Sequence, residues 1–151
     1  MTIAVTGATG FVGQALLDLA GADGAPVKAL ARRAQQPHEG VEWIRGDLAD
    51  KDALRRLVRG AEAAIHVAGV VNAPDAAGFE AGNVTGTLNL IEACLAEGVQ
   101  RLVHVSSLSA REPELSAYGA SKARAEKLVR ASGLDWTIVR PPGIYGPRDT
   151  E

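Results

Sequence analysis

Tyr118 and Lys122 stand four residues apart in "YGASK". On a helix that spacing puts two side chains on one face, about 6 Å apart along the axis. A phenol and an ammonium then project the same way. A free tyrosine titrates near about 10, too high for base chemistry at neutral pH, and a nearby ammonium favours the phenolate. About a dozen residues earlier, an apolar run ends in Ser106 and Ser107. A serine hydroxyl there can donate to a carbonyl oxygen or accept from an alcohol. Such a set moves a proton on or off oxygen while a hydride moves on or off carbon. Taken singly, each residue has a plainer reading. Tyr118 reads as a surface tyrosine at a helix start, Lys122 as its solvated neighbour, and Ser107 as a strand-ending turn residue.

A second chemical pattern lies at the N-terminus. "TGATGFVG" spaces Gly7, Gly10 and Gly13 at intervals of three. The first glycine permits a tight turn, the second lets backbone approach a pyrophosphate, and the third lets a helix pack closely on a sheet. A helix beginning here aims free N–H groups and its positive dipole end at phosphates. The Gly-Lys-Ser/Thr ending of a nucleoside-triphosphate loop is absent, which excludes that reading. The alternative is a glycine-rich turn with no ligand. After the next apolar run comes "ALARR", with Arg32 and Arg33. Where an NAD site carries an acid for the ribose hydroxyls, arginine suits a 2′-phosphate. NADP is therefore the expected cofactor, with NAD the alternative.

These residues need a scaffold, and the hydrophobic pattern supplies one. Thr2–Thr6, Val27–Ala31, Val41–Arg45, Ala63–Gly69, Arg101–Ser107 and Trp136–Pro141 read as strands. Phe11–Leu19, Lys51–Arg59, Ala81–Glu97 and Ser116–Ala131 read as helices between them, with Asp50 a suitable N-cap and Gly98 and Gly133 suitable ends. Near-continuous apolar strands alternating with helices predict an α/β, Rossmann-type doubly wound parallel sheet of about six strands, covered by helices on both faces. Val70–Gly78 and Arg111–Leu115 are expected to be loops bordering a substrate site.

The bulk numbers bound the function. The 151 residues suit one domain, and 46% hydrophobic with 23% charged residues suits a globular chain. A net charge of −2 offers no case for nucleic acid or an anionic membrane. Cys94, the one cysteine, forms no internal disulfide and no multi-cysteine metal site, so no metal is expected. The first residues lack a basic region followed by a long apolar run, and no stretch is long and apolar enough to span a bilayer. A cytoplasmic protein is expected.

The motifs, taken in order, resemble the short-chain dehydrogenase/reductase superfamily, and within it the extended, epimerase/dehydratase-like branch. "TGATGFVG", "GDLAD", "HVAG", "NVTGTLNLIEAC", "HVSSLSA", "YGASK" and "IVRPPGIYGP" each match a segment of that branch. The resemblance implies Tyr118 as general acid/base and Lys122 as the group that activates it and holds the nicotinamide ribose. It implies Ser107, rather than Ser106, orienting the substrate oxygen, and Asn83 supporting Lys122 through water. It implies cofactor contacts from Gly7, Thr9, Gly10, Phe11, Val12 and Gly13. Further contacts come from Asp47 and Leu48 at the adenine, from Val67, Ala68 and Gly69, and from the nicotinamide-side stretch of Arg140, Pro141 and Pro142. His66 and His104 are expected to be packed core histidines and Cys94 a packing residue. Without the resemblance, Asn83 reads as a helix-start residue and Asp47 as a turn former.

The branch implies a small-molecule substrate: an alcohol or carbonyl, sugar-nucleotide-like or steroid- or flavonoid-like. It implies a homodimer through the helices at 81–97 and 116–131. Its members continue past "RPPGIYGP" with another strand and a substrate-binding portion, so the expectation for 1–151 is one cofactor domain carrying catalytic residues, the substrate-binding portion being absent. The alternative function is a non-catalytic NADP(H)-binding redox sensor or assembly module, against which the intact Tyr118–Lys122 pair counts.

Overall fold

The computed structural model describes residues 1–150. Six strands form one parallel sheet: β1 (Ile3–Thr6), β2 (Val27–Ala31), β3 (Val41–Arg45), β4 (Ala63–His66), β5 (Arg101–Val105) and β6 (Asp135–Val139). Their order is β3-β2-β1-β4-β5-β6, with every neighbouring pair parallel. The order reverses between β1 and β4, and the crevice at the carboxyl ends of those strands is where such sheets bind ligands. The doubly wound α/β expectation therefore holds.

The strands run shorter at the carboxyl edge than their apolar runs suggest. β4 stops at His66 and β5 at Val105, so Val67–Gly69 and Ser106–Ser107 lie beyond the ladder, on the rim. Four of the helices connect the strands across the faces. α1 (Phe11–Ala22) packs on one face, over Val5, Val27 and Ala29. α2 (Lys51–Val58), α4 (Gly86–Glu97) and α5 (Ala117–Ala131) cover the other, where Leu54, Leu57, Leu90, Cys94, Leu102 and Val129 form the larger core. Cys94 is buried packing, as expected. α2 starts where Asp50 accepts from the Ala53 amide at 2.9 Å, a cap that contributes about 1 kcal/mol.

One expected loop is partly helical. Within Val70–Gly78, the chain enters α3 (Ala76–Phe79), capped by Asp75, which accepts from the Gly78 amide at 2.9 Å. A single wide π turn (Glu80–Thr85) then joins α3 to α4 without a break in helical backbone. The expected helix start at Ala81 thus falls inside a longer helical run. Short Ala- and Gly-rich segments carry little periodic signal. A π turn widens one helical loop and re-aims the side chain within it, and here that side chain is Asn83.

Among the described residues, no helix is long and apolar enough to cross a membrane. No cluster of three His, Cys, Asp or Glu side chains suited to a metal occurs among them either.

Candidate active site

The glycine turn is shaped by backbone crowding. Gly7 has φ +75°, and a Cβ on it would lie 2.5 Å from the Ala68 amide nitrogen. A Cβ on Gly13 would overlap the Gly7 carbonyl oxygen. Gly10 differs, because its nearest heavy atom would be the Gly7 carbonyl oxygen at 3.4 Å, leaving room beyond. Gly10 is also the N-cap of α1, and no side chain caps that end. The N–H groups of Phe11, Val12 and Gly13 at the first turn therefore face the rim without helical acceptors. Open space at Gly10 beside an uncapped helix start fits a pyrophosphate. Thr9 completes the turn, its carbonyl accepting from the Gln14 side chain at 2.9 Å.

Arg32 and Arg33 follow β2 on an exposed bend, and neither joins an ion pair among the described residues. Asp47 lies past β3 and accepts from the amides of Ala49 at 2.8 Å and Asp50 at 3.1 Å. That is the turn-forming role its bare sequence suggested. Leu48 packs against Gly86, and its carbonyl accepts from Asn89 at 2.8 Å.

Beyond β4, a directed chain of hydrogen bonds holds the rim. The Thr87 hydroxyl donates to the Asn83 carbonyl at 2.8 Å, so it accepts from His66 Nε2–H at 2.9 Å. His66 Nδ1 then accepts from the Thr6 hydroxyl at 2.6 Å, whose oxygen accepts from the Ala68 amide at 3.2 Å. His66 is fully buried, and burial, with the charges of His104 and Lys122 added, holds its pKa well below the usual histidine range. It is a core histidine, as expected, but a hydrogen-bonded one. His104 stacks on it at 5.3 Å between ring centroids and has no partner at either ring nitrogen.

Asn83 is buried and spends its amide on the rim itself. Its Oδ1 accepts from the Val70 amide at 2.7 Å, and its Nδ2 donates to the Val70 carbonyl at 2.9 Å and to Ser121 Oγ at 3.0 Å. Ser121 precedes Lys122 on α5, so Asn83 reaches the lysine's neighbour rather than the lysine. A Cβ on Gly69 would come within 3.0 Å of Asn83 Oδ1 and 3.6 Å of Lys122 Nζ. Gly69, Asn83 and Lys122 therefore meet at one point.

α5 begins at Ser116, whose hydroxyl accepts from the Gly119 amide at 2.9 Å. Tyr118 lies on its first turn, its ring edge-on to Phe79 at 6.0 Å. Lys122 follows one turn later and is 4% exposed, with Nζ donating to the Val105 carbonyl at 3.0 Å. Burial brings its pKa down to about 8, while the Glu126 carboxylate pulls the other way. Lys122 is thus an ammonium at neutral pH held inside the protein, not a solvated surface charge.

The two adjacent serines separate cleanly. Ser106 is buried and donates to Glu126 Oε1 at 2.6 Å. Ser107 caps a 3-10 turn (Leu108–Arg111), accepting from the Ser109 amide at 3.2 Å, and opens onto a cleft of about 510 Å³. Tyr118 lines the same cleft, with Leu108, Leu115, Pro141 and Pro142 as apolar walls and Glu112 as the one carboxylate. Of the two loops expected to border it, Arg111–Leu115 does, through Glu112 and Leu115. Val70–Gly78 supplies no lining residue. Arg140 has its partner elsewhere. It is not among the residues lining the cleft and grips Glu126 through Nε at 2.8 Å and Nη2 at 2.6 Å, while Pro141 and Pro142 stay at the wall.

Sequence reading missed Glu126, Ser121 and Thr87. Only Glu126 had a local signal, as a carboxylate four residues past Lys122 on a face shared with buried Ala125 and Val129.

A parallel sheet in this order, with a side-chain-free, uncapped helix start after β1 and a serine–tyrosine cleft at the rim, defines a dinucleotide-binding α/β protein. The chain belongs to the NAD(P)H-binding family, whose model matches residues 7–151. It is 47% identical, over 99% of its length, to the ceramide reductase of Caulobacter vibrioides, of which it covers 48%. It is 36% identical over its whole length to a 2-alkyl-3-oxoalkanoate reductase of Stenotrophomonas maltophilia, covering 53% of that protein. A solved short-chain dehydrogenase/reductase superfamily protein from Agrobacterium tumefaciens with bound NAD superposes with a TM-score of 0.82. That likeness spans 93% of this chain and 48% of the other at 30% identity. The chain spans about half the length of the relatives it matches.

Proposed function

We propose that this chain forms the cofactor and proton-transfer half of an NADP(H)-dependent reductase acting on a ketone, or on the matching secondary alcohol in reverse, with an apolar body. The carrying observation is that Ser107 and Tyr118 open onto one cleft while the Lys122 ammonium lies buried one turn behind Tyr118. The cofactor, when bound, supplies or accepts the hydride. Ser107 donates a hydrogen bond to the substrate oxygen, and Tyr118 gives that oxygen its proton as the carbonyl becomes an alcohol. Lys122 donates to the nicotinamide ribose, with Gly69 leaving the space for it. Asn83 fixes both sides of that point through Val70 and Ser121. The pyrophosphate falls to the uncapped start of α1, and Arg32 with Arg33 takes the 2′-phosphate.

Leucine and proline walls favour a lipid-like substrate over a sugar nucleotide. The similar proteins from Caulobacter and Stenotrophomonas are named for ceramide and for 2-alkyl-3-oxoalkanoates. NADPH oxidation against a panel of long-chain 3-ketones and sugar nucleotides tests the reading. Turnover of the ketones, lost in Tyr118→Phe with cofactor binding kept, is the expected outcome. Unchanged turnover in Tyr118→Phe refutes Tyr118 as the acid.

The homodimer is proposed through α4 and α5. Leu88 and Leu95, seven apart on α4, are exposed on that side. Light scattering that returns a monomer counts against it.

A further inference from the structure

Glu126 is a carboxylate 1% exposed to solvent, and it accepts four hydrogen bonds. Ser106 and Arg140 Nε reach Oε1 at 2.6 and 2.8 Å. Arg140 Nη2 and Arg130 Nη2 reach Oε2 at 2.6 and 3.0 Å. These donors come from three separate segments: the end of β5, the end of β6 and α5 itself. Ser106 precedes Ser107, Arg140 precedes Pro141, and Glu126 follows Lys122 by one turn on the same helix. We propose that Glu126 is a positioning residue, a tie that helps set the serine turn and the Pro141 loop in register against the helix carrying Tyr118 and Lys122. The proposal rests on the Ser107–Tyr118–Lys122 reading of the site.

The backbone shows what the tie controls. The Ser106 amide donates to the Val139 carbonyl at 2.7 Å, and the Leu108 amide donates to the Pro141 carbonyl at 2.9 Å. Ser107 is thus bracketed by two bonds to the last residues of β6 and the loop beyond. β6 is an edge strand with β5 as its one neighbour and mostly exposed residues, so packing alone holds it weakly. Arg140 clamped to Glu126 pins that strand end to α5. A bidentate guanidinium–carboxylate pair fixes direction as well as distance.

Glu126 has an electrostatic role as well. Glu126 on α5 acts on Lys122, and Lys122 in turn acts on His66 of β4 and His104 of β5. Burial lowers the pKa of both imidazoles, His104 to about 4, so both are neutral at pH 7. Glu126 is the anion among the three. It offsets part of the cost of burying an ammonium.

The test uses readouts that need no turnover, so its failure stays distinct from failure of the reductase reading. Three quantities are followed in the wild type, Glu126→Gln and Ser106→Ala: the Lys122 side-chain NMR titration, amide exchange at Leu108, and thermal midpoint. Glu126→Gln should move the Lys122 titration down by about one pH unit from its wild-type value. It should also speed Leu108 exchange about tenfold or more. Ser106→Ala removes one neutral donor and keeps the charge. It should leave the Lys122 titration in place and still speed Leu108 exchange several-fold. Should Glu126→Gln fail to fold, Ser106→Ala decides alone through Leu108. A lowered thermal midpoint with Lys122 titration and Leu108 exchange both unchanged overturns the proposal and leaves Glu126 a purely structural residue.

Discussion

At the β1–α1 turn, backbone meets backbone. Gly7 abuts the Val67–Ala68 peptide, Gly13 abuts Gly7, and no side chain takes part. At the β5–α5–β6 end, polar side chains from distant parts of the chain do the holding. Glu126 joins Ser106 to Arg140, Asn83 joins Val70 to Ser121, and Lys122 reaches Val105. The β1–α1 turn therefore tolerates almost no added atom at Gly7 or Gly13. The β5–α5–β6 end tolerates more in shape but depends on charge. A dinucleotide needs a rigid cradle at one end. A proton donor needs an environment that sets charge at the other.

Four outcomes would break or sharpen that contrast. The largest concerns chemistry at the charged end. Tyr118→Phe should cut ketone turnover by about a thousandfold while NADPH affinity stays within about twofold, as read by NADPH consumption and by binding titration. Next comes steric intrusion at the backbone end. Gly13→Val should cost about 3 kcal/mol or more of stability and remove cofactor binding, because the new side chain meets the Gly7 carbonyl. Chemical denaturation and NADPH fluorescence check this, and a folded variant with wild-type affinity breaks the contrast.

A smaller effect falls outside both ends. Arg32→Ala combined with Arg33→Ala should weaken NADPH binding about tenfold and leave NADH binding nearly unchanged. Equal weakening of both would mean the arginines contact something other than a 2′-phosphate.

The smallest effect is a pH window. Glu126 is held at about 2, against 4.5 for a free glutamate: burial pushes it up, and the hydrogen bonds and charge of Arg140, with Ser106 and Arg130, more than offset that. The folded protein binds this proton less readily than the unfolded chain. The stabilisation is thus fully present above about 4.5 and is lost as pH falls toward about 2. Denaturation midpoints measured down that range should fall less steeply in Glu126→Gln than in the wild type. Glu97, half-buried and paired with Arg55 and Arg59, titrates in the same window and remains in both proteins.

Legibility in the sequence followed the same division. β2 and β3 occupy the residues their apolar runs marked out, Val27–Ala31 and Val41–Arg45. The glycine turn was readable because its geometry depends on three absent side chains at fixed spacing. The Tyr118–Lys122 pair was readable because one helical turn separates them. Partners far apart in sequence were not. Nothing local says that Arg140 pairs with Glu126, or that His66 finds Thr6 and Thr87. Asn83 was readable as a position but not as a contact, since its aim depends on a π turn that no periodicity marks. Ser106 and Ser107 were told apart by resemblance, and the structure adds the physical difference: one donates to a buried carboxylate, the other opens on the cleft.

Titration of the chain with NADPH and, separately, with NADH, followed by nicotinamide fluorescence and calorimetry, tests the central claim most directly. The account predicts saturable binding of both, with NADPH tighter by about tenfold, and loss of that binding in Gly13→Val. Absence of binding to either cofactor by a folded chain would contradict it.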